Sequence, residues 1–198
     1  PWLDEAGTDD VVVRRSRGIG LPPGLPDIQG LALSTTTDGV RADVLFAGTG
    51  TGVVTRHVLL PSSRAAGRDM TTLLPYRSAT GPVYLRATLL GDREYALSWA
   101  GTTSAWHEFG RLELGQPYGD GDEASFDPVR FVPSGLRQYP WVRTLLPGCL
   151  LRLDQHHLGR PQEQVTALLL AQDQLCRGEF AGDVFEREGR LFRPIGRG

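Results

Sequence analysis

The chain has 198 residues, a formal net charge of −2 and 40% hydrophobic residues, enough to bury the core of one compact domain or of a domain with a small appendage. All 21 basic residues are arginine, because neither Lys nor Asn occurs. That excludes a lysine Schiff base, a GKS or GKT phosphate loop, and any Asn as oxyanion donor or metal ligand; a GC-rich genome accounts for the bias. The arginines are spread along the chain and form no basic stripe, so no nucleic-acid partner is expected. No apolar run approaches the roughly 18 residues of a membrane helix, and no basic start followed by an apolar stretch marks a targeting segment. A soluble, cytoplasmic protein with no membrane partner is expected. Cys149 and Cys176 fit neither a disulfide framework nor paired zinc-ligand spacing and read as buried thiols.

In chain order, short β-branched and apolar runs separated by Gly, Pro, Asp and Ser predict an all-β region from Val11 to about Val132. Strands are expected at Val11–Ser16, Asp43–Ala47, Thr71–Pro75, Val83–Leu90, Glu94–Trp99, Glu108–Leu114 and Pro128–Val132. Val83 to Leu89 alternates Val, Leu, Ala and Leu with Tyr84, Arg86 and Thr88, giving one buried face and one wetter face. The Gly91-Asp92 pair predicts a hairpin. The Pro- and Gly-rich loop from Gly18 to Asp27 reads as a rigid connection, and the polar stretch from Gln116 to Ser125 as a mobile tip.

After Pro133 the pattern turns helical. A short helix is expected over Tyr139–Leu146 and a second over Pro161–Arg177, stopped by Gly178, with an apolar stripe through Val165, Leu168, Leu169 and Cys176. The tail from Asp183 to Pro194 reads as a hairpin turning near Glu188-Gly189. Such a hairpin is marginal alone and must pack on the helix, on the barrel or on a second subunit.

Several stretches suggest chemistry. Ala47-Gly48-Thr49-Gly50-Thr51-Gly52 follows a strand as a dinucleotide loop would, but β-branched residues and Pro61 follow where a helix is needed, so a plain glycine turn is expected. His57, His107 and the adjacent His156-His157 lack the spacing of metal ligands. No Gly-x-Ser-x-Gly turn offers a serine nucleophile. In Arg14-Arg15-Ser16-Arg17, alternation puts Arg14 and Ser16 on one face and Arg15 and Arg17 on the other. Either set reads as a grip for a carboxylate or phosphate or as a solvated strand edge.

Val11-Val12-Val13-Arg14-Arg15-Ser16-Arg17, the glycine-rich loop, Leu25 to Leu33, the Asp38-Gly39 turn and Asp43-Val44-Leu45-Phe46 together resemble the haem-catalase succession VRFS, glycine-rich loop, RDPRGFAVKFY, charged turn and WDLVGNN. With Pro1 to Glu5 ahead and Thr72 to Arg77 behind, residues 1–146 resemble small catalase-like proteins of actinobacteria, which often carry a phosphodiesterase name. The resemblance implies a catalase-type β-barrel in which Arg14, with Ser16 beside it, pairs with a haem propionate. Leu136-Arg137-Gln138-Tyr139-Pro140-Trp141-Val142-Arg143 is similar to the segment that supplies tyrosinate to iron. That implies Tyr139 as the metal ligand, supported by Arg143 or Arg137. Position 135 is Gly where that family has Arg, the family's Asn is absent, and its distal-histidine segment is not in this sequence. Efficient peroxide dismutation, which needs a distal acid-base group, is therefore not expected.

These observations combine into an α+β chain: a mainly antiparallel β-barrel of catalase type over 1–146, then an appendage over 147–198 with C-terminal helices and a terminal hairpin. The expected function is binding of haem or a similar anionic small ligand, with at most weak peroxidase- or isomerase-like activity in an oxidoreductase setting. The alternative is a cofactor-free barrel acting as an assembly subunit, a homo-oligomer through residues 161–198. A phosphodiesterase-type hydrolase ranks behind both, since such enzymes need His and Asp clusters and His is scarce.

Overall fold

The computed structural model describes residues 2–4, 6–19, 21–22, 24–63, 69–118, 125–145 and 185–193, with backbone alone for 117–118, 143–145 and 185–188. Its strands are β1 (Gly7–Arg17), β2 (Gln29–Thr37), β3 (Val40–Gly48), β4 (Met70–Thr71), β5 (Tyr76–Arg77), β6 (Pro82–Gly91), β7 (Glu94–Ala100), β8 (His107–Tyr118), β9 (Arg137–Gln138) and β10 (Phe185–Arg193). One short helix, α1, spans Pro140–Leu145. All the strand pairings are antiparallel, in the order β4-β3-β2-β1-β10-β8-β7-β6, and a β4–β6 pairing closes the ring. Among the described residues this is an eight-stranded closed β-barrel, with β5 and β9 paired beside it.

Period-2 alternation decides which way each side chain faces. Val11 and Val13 on β1, Leu31 and Leu33 on β2, Leu85 on β6 and Leu97 on β7 all belong to one buried cluster that fills the lumen. A barrel of eight strands has an interior just wide enough for side chains, so its centre is a packed core. The alternate positions, among them Asp10, Asp43, Arg86, Ser98 and Glu113, lie on the outer wall. No helix among the described residues is long and apolar enough to cross a membrane.

Local chemistry explains the turns. The β2–β3 hairpin turns at Asp38 (φ 52°) and Gly39 (φ 77°), with Thr37 paired to Val40, which is a two-residue type I′ connection. Gly91 pairs with Glu94, so the expected β6–β7 hairpin forms. The loop after β1 is held by Asp27, whose fully buried carboxylate accepts the N–H groups of Ile19 (2.7 Å), Leu21 (3.0 Å) and Ile28 (2.6 Å). Arg17 donates to the carbonyls of Pro22 and Leu25 and lies 3.6 Å from Asp27. The Pro- and Gly-rich connection is thus a caged loop.

Five expectations need correction. The helical share is one six-residue helix, so the described residues form an all-β barrel and not an α+β fold. The helix expected over 161–177 lies outside the described residues, as do Cys149, Cys176, His156 and His157. The terminal hairpin is instead a single strand, β10, seated between β1 and β8. Gly189 makes no turn there. A Cβ on it would lie 2.8 Å from the Glu113 carbonyl oxygen and 3.1 Å from Val11 Cγ2, so the glycine permits close packing of three strands at an irregular register step. Pro128–Val132 is a turn, because the Asp127 carboxylate accepts the N–H groups of Val129 and Arg130 at 3.1 and 2.9 Å. Of the strand expected over Thr71–Pro75 only Thr71 lies in a strand, β4; the chain bends at Leu73, whose φ is 56°, and β5 begins at Tyr76. Finally, β2 was not expected: glycine and a threonine run obscured the alternation of Leu31, Leu33 and Thr35.

Candidate functional site

On the outer wall, cross-strand register sets two rows. Arg14 pairs with Ala32 and Ala32 with Leu45. Ser16, Gly30, Ala47, Thr71, Arg86 and Ser98 form the next row from β1 to β7. The wall between β1 and β6 is therefore built from small side chains, with Arg14 and Ser16 at one side and Tyr84 and Arg86 at the other.

Arg14 and Ser16 do share one face, as alternation requires, and both are buried, at 2% and 5% exposure. The Arg14 guanidinium lies 4.8 Å from the centroid of Phe126. Phe126 packs on Ala32, Leu45 and Ala47, with Leu59 alongside. Its segment is fastened by Asp43, a fully buried carboxylate that takes both Arg41 donors (2.8 and 2.7 Å) and the Asp127 N–H (2.7 Å). The register also sets Glu186 of β10 opposite Arg14. On the other face, Arg17 is committed to the Asp27 loop and is no part of an anion grip.

Tyr139 is half-buried at the start of α1, stacked on Trp141 at 5.9 Å and packed with Leu74 against Val129 and Val142. Arg143 follows one turn later on α1, and Arg137 is exposed. Leu45 joins the two neighbourhoods: it packs on Ala32 beside Arg14 and lines a cavity with Leu74, Gln138 and Val142.

That cavity has a volume of about 10 Å³, room for one water, whereas small-molecule pockets run from roughly 300 to 1,000 Å³. Phe126, 1% exposed, and Leu59 cover the wall on which a macrocycle would have to lie. A larger concavity of about 970 Å³ opens on the wall of β1, β2, β8 and β10, lined by Asp9, Asp10, Asp38, Glu113 and Arg190. Neither Arg14 nor Tyr139 borders it. Among the described residues, Arg14, Ser16 and Tyr139 line neither concavity.

The glycine run after β3 is a turn. Gly50 and Gly52 N–H groups bond to the Thr55 carbonyl oxygen (3.1 Å) and Oγ1 (3.0 Å), and one 3-10 turn, Thr55–His57, follows. A Cβ on Gly50 would lie 2.3 Å from Thr55 Oγ1, which is why glycine stands there. The turn delivers Arg56 and His57 to the outer face of β6. Arg56 is 1% exposed, between the rings of Tyr84 (5.2 Å) and Trp106 (4.9 Å). His57 lies edge-on to Tyr84 at 5.2 Å, and Arg86 is over Trp106 at 4.8 Å. Burial pushes the Arg56 guanidinium down from its ordinary range, with Tyr84 acting against this. Burial also pushes the Tyr84 phenol up; Arg56 opposes that shift and Tyr139 adds to it. Sequence reasoning missed this cluster. The alternation in β6 marked Tyr84 and Arg86 as outward, but only the folded turn brings Arg56 and Trp106 to them.

Among the described residues, no group of three His, Cys, Asp or Glu side chains could hold a metal ion. Comparison with protein-family models, with curated proteins and with solved structures gives no match.

Proposed function

We propose that this chain is a catalase-like β-barrel that binds a small carboxylate ligand on its outer wall at Arg14 and Ser16, with at most weak peroxidase- or isomerase-like activity. The observation that supports it is a buried guanidinium and a buried hydroxyl on one face, roofed by an aromatic ring. The Phe126 ring lies 4.8 Å from the Arg14 guanidinium, and arginine is the side chain whose planar N–H fork matches a carboxylate. Haem is the less favoured ligand, because Phe126 and Leu59 would have to leave the wall.

Thermal unfolding in succinate, against chloride at matched ionic strength, tests this reading. Succinate is expected to raise Tm in the wild type and to lose that effect in Arg14→Gln and in Ser16→Ala. No succinate effect in the wild type overturns it. Hemin is expected to give no one-to-one Soret band; a sharp band lost in Tyr139→Phe would replace the reading with haem ligated by Tyr139. A second reading, a cofactor-free interaction subunit, is favoured by the exposed Val53, Val54 and Val58 around one turn, Val54 being 75% exposed.

A further inference from the structure

A second cationic feature lies on the outer wall, four strand spacings or about 19 Å from Ser16 along the row that passes through Arg86. Arg56 donates through Nη1 to the Gly101 carbonyl (2.9 Å) and through Nε to that of Gly52 (3.2 Å). Arg86 reaches Ser98 Oγ through Nη2 at 3.4 Å, and its Nε is buried without an acceptor. Neither guanidinium has an ion-pair partner among the described residues, although both stack on the same indole. Carboxylates on this face are engaged elsewhere: Asp69 accepts from Thr88 Oγ1 at 2.5 Å, and Glu108 from Arg111 at 3.1 Å. The indole is itself fixed, because Trp106 Nε1 donates to the Thr51 carbonyl at 3.0 Å.

A buried cation without a counter-charge is costly, and an orphaned buried N–H adds to that cost. Carbonyl bonds and aromatic faces offset part of it for Arg56. They leave two positive charges against one indole and one donor unmet. We propose that Arg56, Arg86 and Trp106 form a binding site for a single phosphoryl group. Such a group carries about −1.5 to −2 charge at neutral pH and three acceptor oxygens, which matches two guanidinium charges and the unmet Nε donor. Bonds to the Gly52 and Gly101 carbonyls and to Ser98 Oγ, with the Trp106 ring against both groups, hold the two guanidinium groups in place, so their remaining donors are preorganised for a tetrahedral oxyanion.

Inorganic phosphate is the probe, titrated at constant ionic strength against chloride. Binding is read by Tm and by the indole N–H NMR signal of Trp106, assigned by its disappearance in Trp106→Phe. Phosphate is expected to raise Tm and shift that signal saturably, and Arg86→Gln to weaken binding at least tenfold. Arg86 is half-buried, so this variant is expected to fold; equal Tm without phosphate checks that. Arg14→Gln is expected to leave phosphate binding intact, which separates this site from the carboxylate site. No phosphate effect beyond chloride, an effect unchanged in Arg86→Gln, or one abolished by Arg14→Gln and kept by Arg86→Gln overturns the proposal.

Discussion

Tyr84 is 5% exposed on the outer face of β6, with His57 edge-on to its ring and the Arg56 guanidinium over it. Burial disfavours its phenolate, so its pKa stands above the usual 10.0, with Arg56 opposing and Tyr139 reinforcing the shift. The unfolded chain therefore releases this proton first. Above that ordinary value the native state binds more protons than the unfolded state, and stability must fall as pH rises. The contribution is fully present below pH 10 and is lost as pH rises through the folded-state value. Urea midpoints measured from about pH 9 to 11 are expected to decline in the wild type, and Tyr84→Phe is expected to flatten the decline. An equal slope in both proteins would assign the decline to other groups.

Strand β10 shows how one glycine can be misread. In sequence, Glu188-Gly189 between alternating apolar residues has the form of a hairpin turn. In the barrel, Gly189 pairs with Val11 on one side and Leu114 on the other, and Gly110 of β8 packs equally close, 2.8 Å from the Phe192 carbonyl oxygen for an added Cβ. Gly189→Ala forces a methyl group against backbone, which cannot yield as a flexible side chain would. It is expected to destabilise the fold by about 2 kcal/mol or more. Gly91→Ala, where an added Cβ meets nothing within 4 Å, is expected to change stability by less than about 0.5 kcal/mol. Denaturant unfolding of the two variants decides the point, and equal losses would remove the packing account of Gly189.

At the scale of the molecule, the barrel is tied shut where its first and last strands meet. Asp9 of β1 and Arg193 of β10 are paired at 2.7 Å with side chains 8% and 5% exposed. Thr37 Oγ1 donates to Asp9 at 3.0 Å, and Arg193 donates to the Trp2 carbonyl at 2.6 Å. One ion pair thus joins β1, β2, β10 and the N-terminal segment. Removing one partner leaves the other charge buried, so Arg193→Met is expected to destabilise by about 3–5 kcal/mol. Asp9→Asn combined with Arg193→Met is expected to lose less than the sum of the single changes, by about 1 kcal/mol or more. A double-mutant cycle by urea denaturation measures this coupling, and additive losses would show that the pair contributes nothing beyond its separate packing.

Much of the barrel was legible in the sequence, because a strand with one buried face must alternate and its hairpins need particular residues. Strands β1, β3, β6, β7 and β8, the Gly91-Asp92 hairpin, the glycine turn after β3 and the shared face of Arg14 and Ser16 follow from period 2 and turn chemistry alone. The exclusion of lysine chemistry likewise needs no fold. Tertiary structure decided what depends on distant partners: that Gly189 lies in a strand, that Asp127 caps a turn, that Arg17 serves the Asp27 loop, and that Phe126 covers the wall beside Arg14. It also brought Arg56, Arg86 and Trp106 together from three separate segments. No local pattern encodes that meeting, since the closure of the ring through β4 and β6 sets which outward side chains become neighbours.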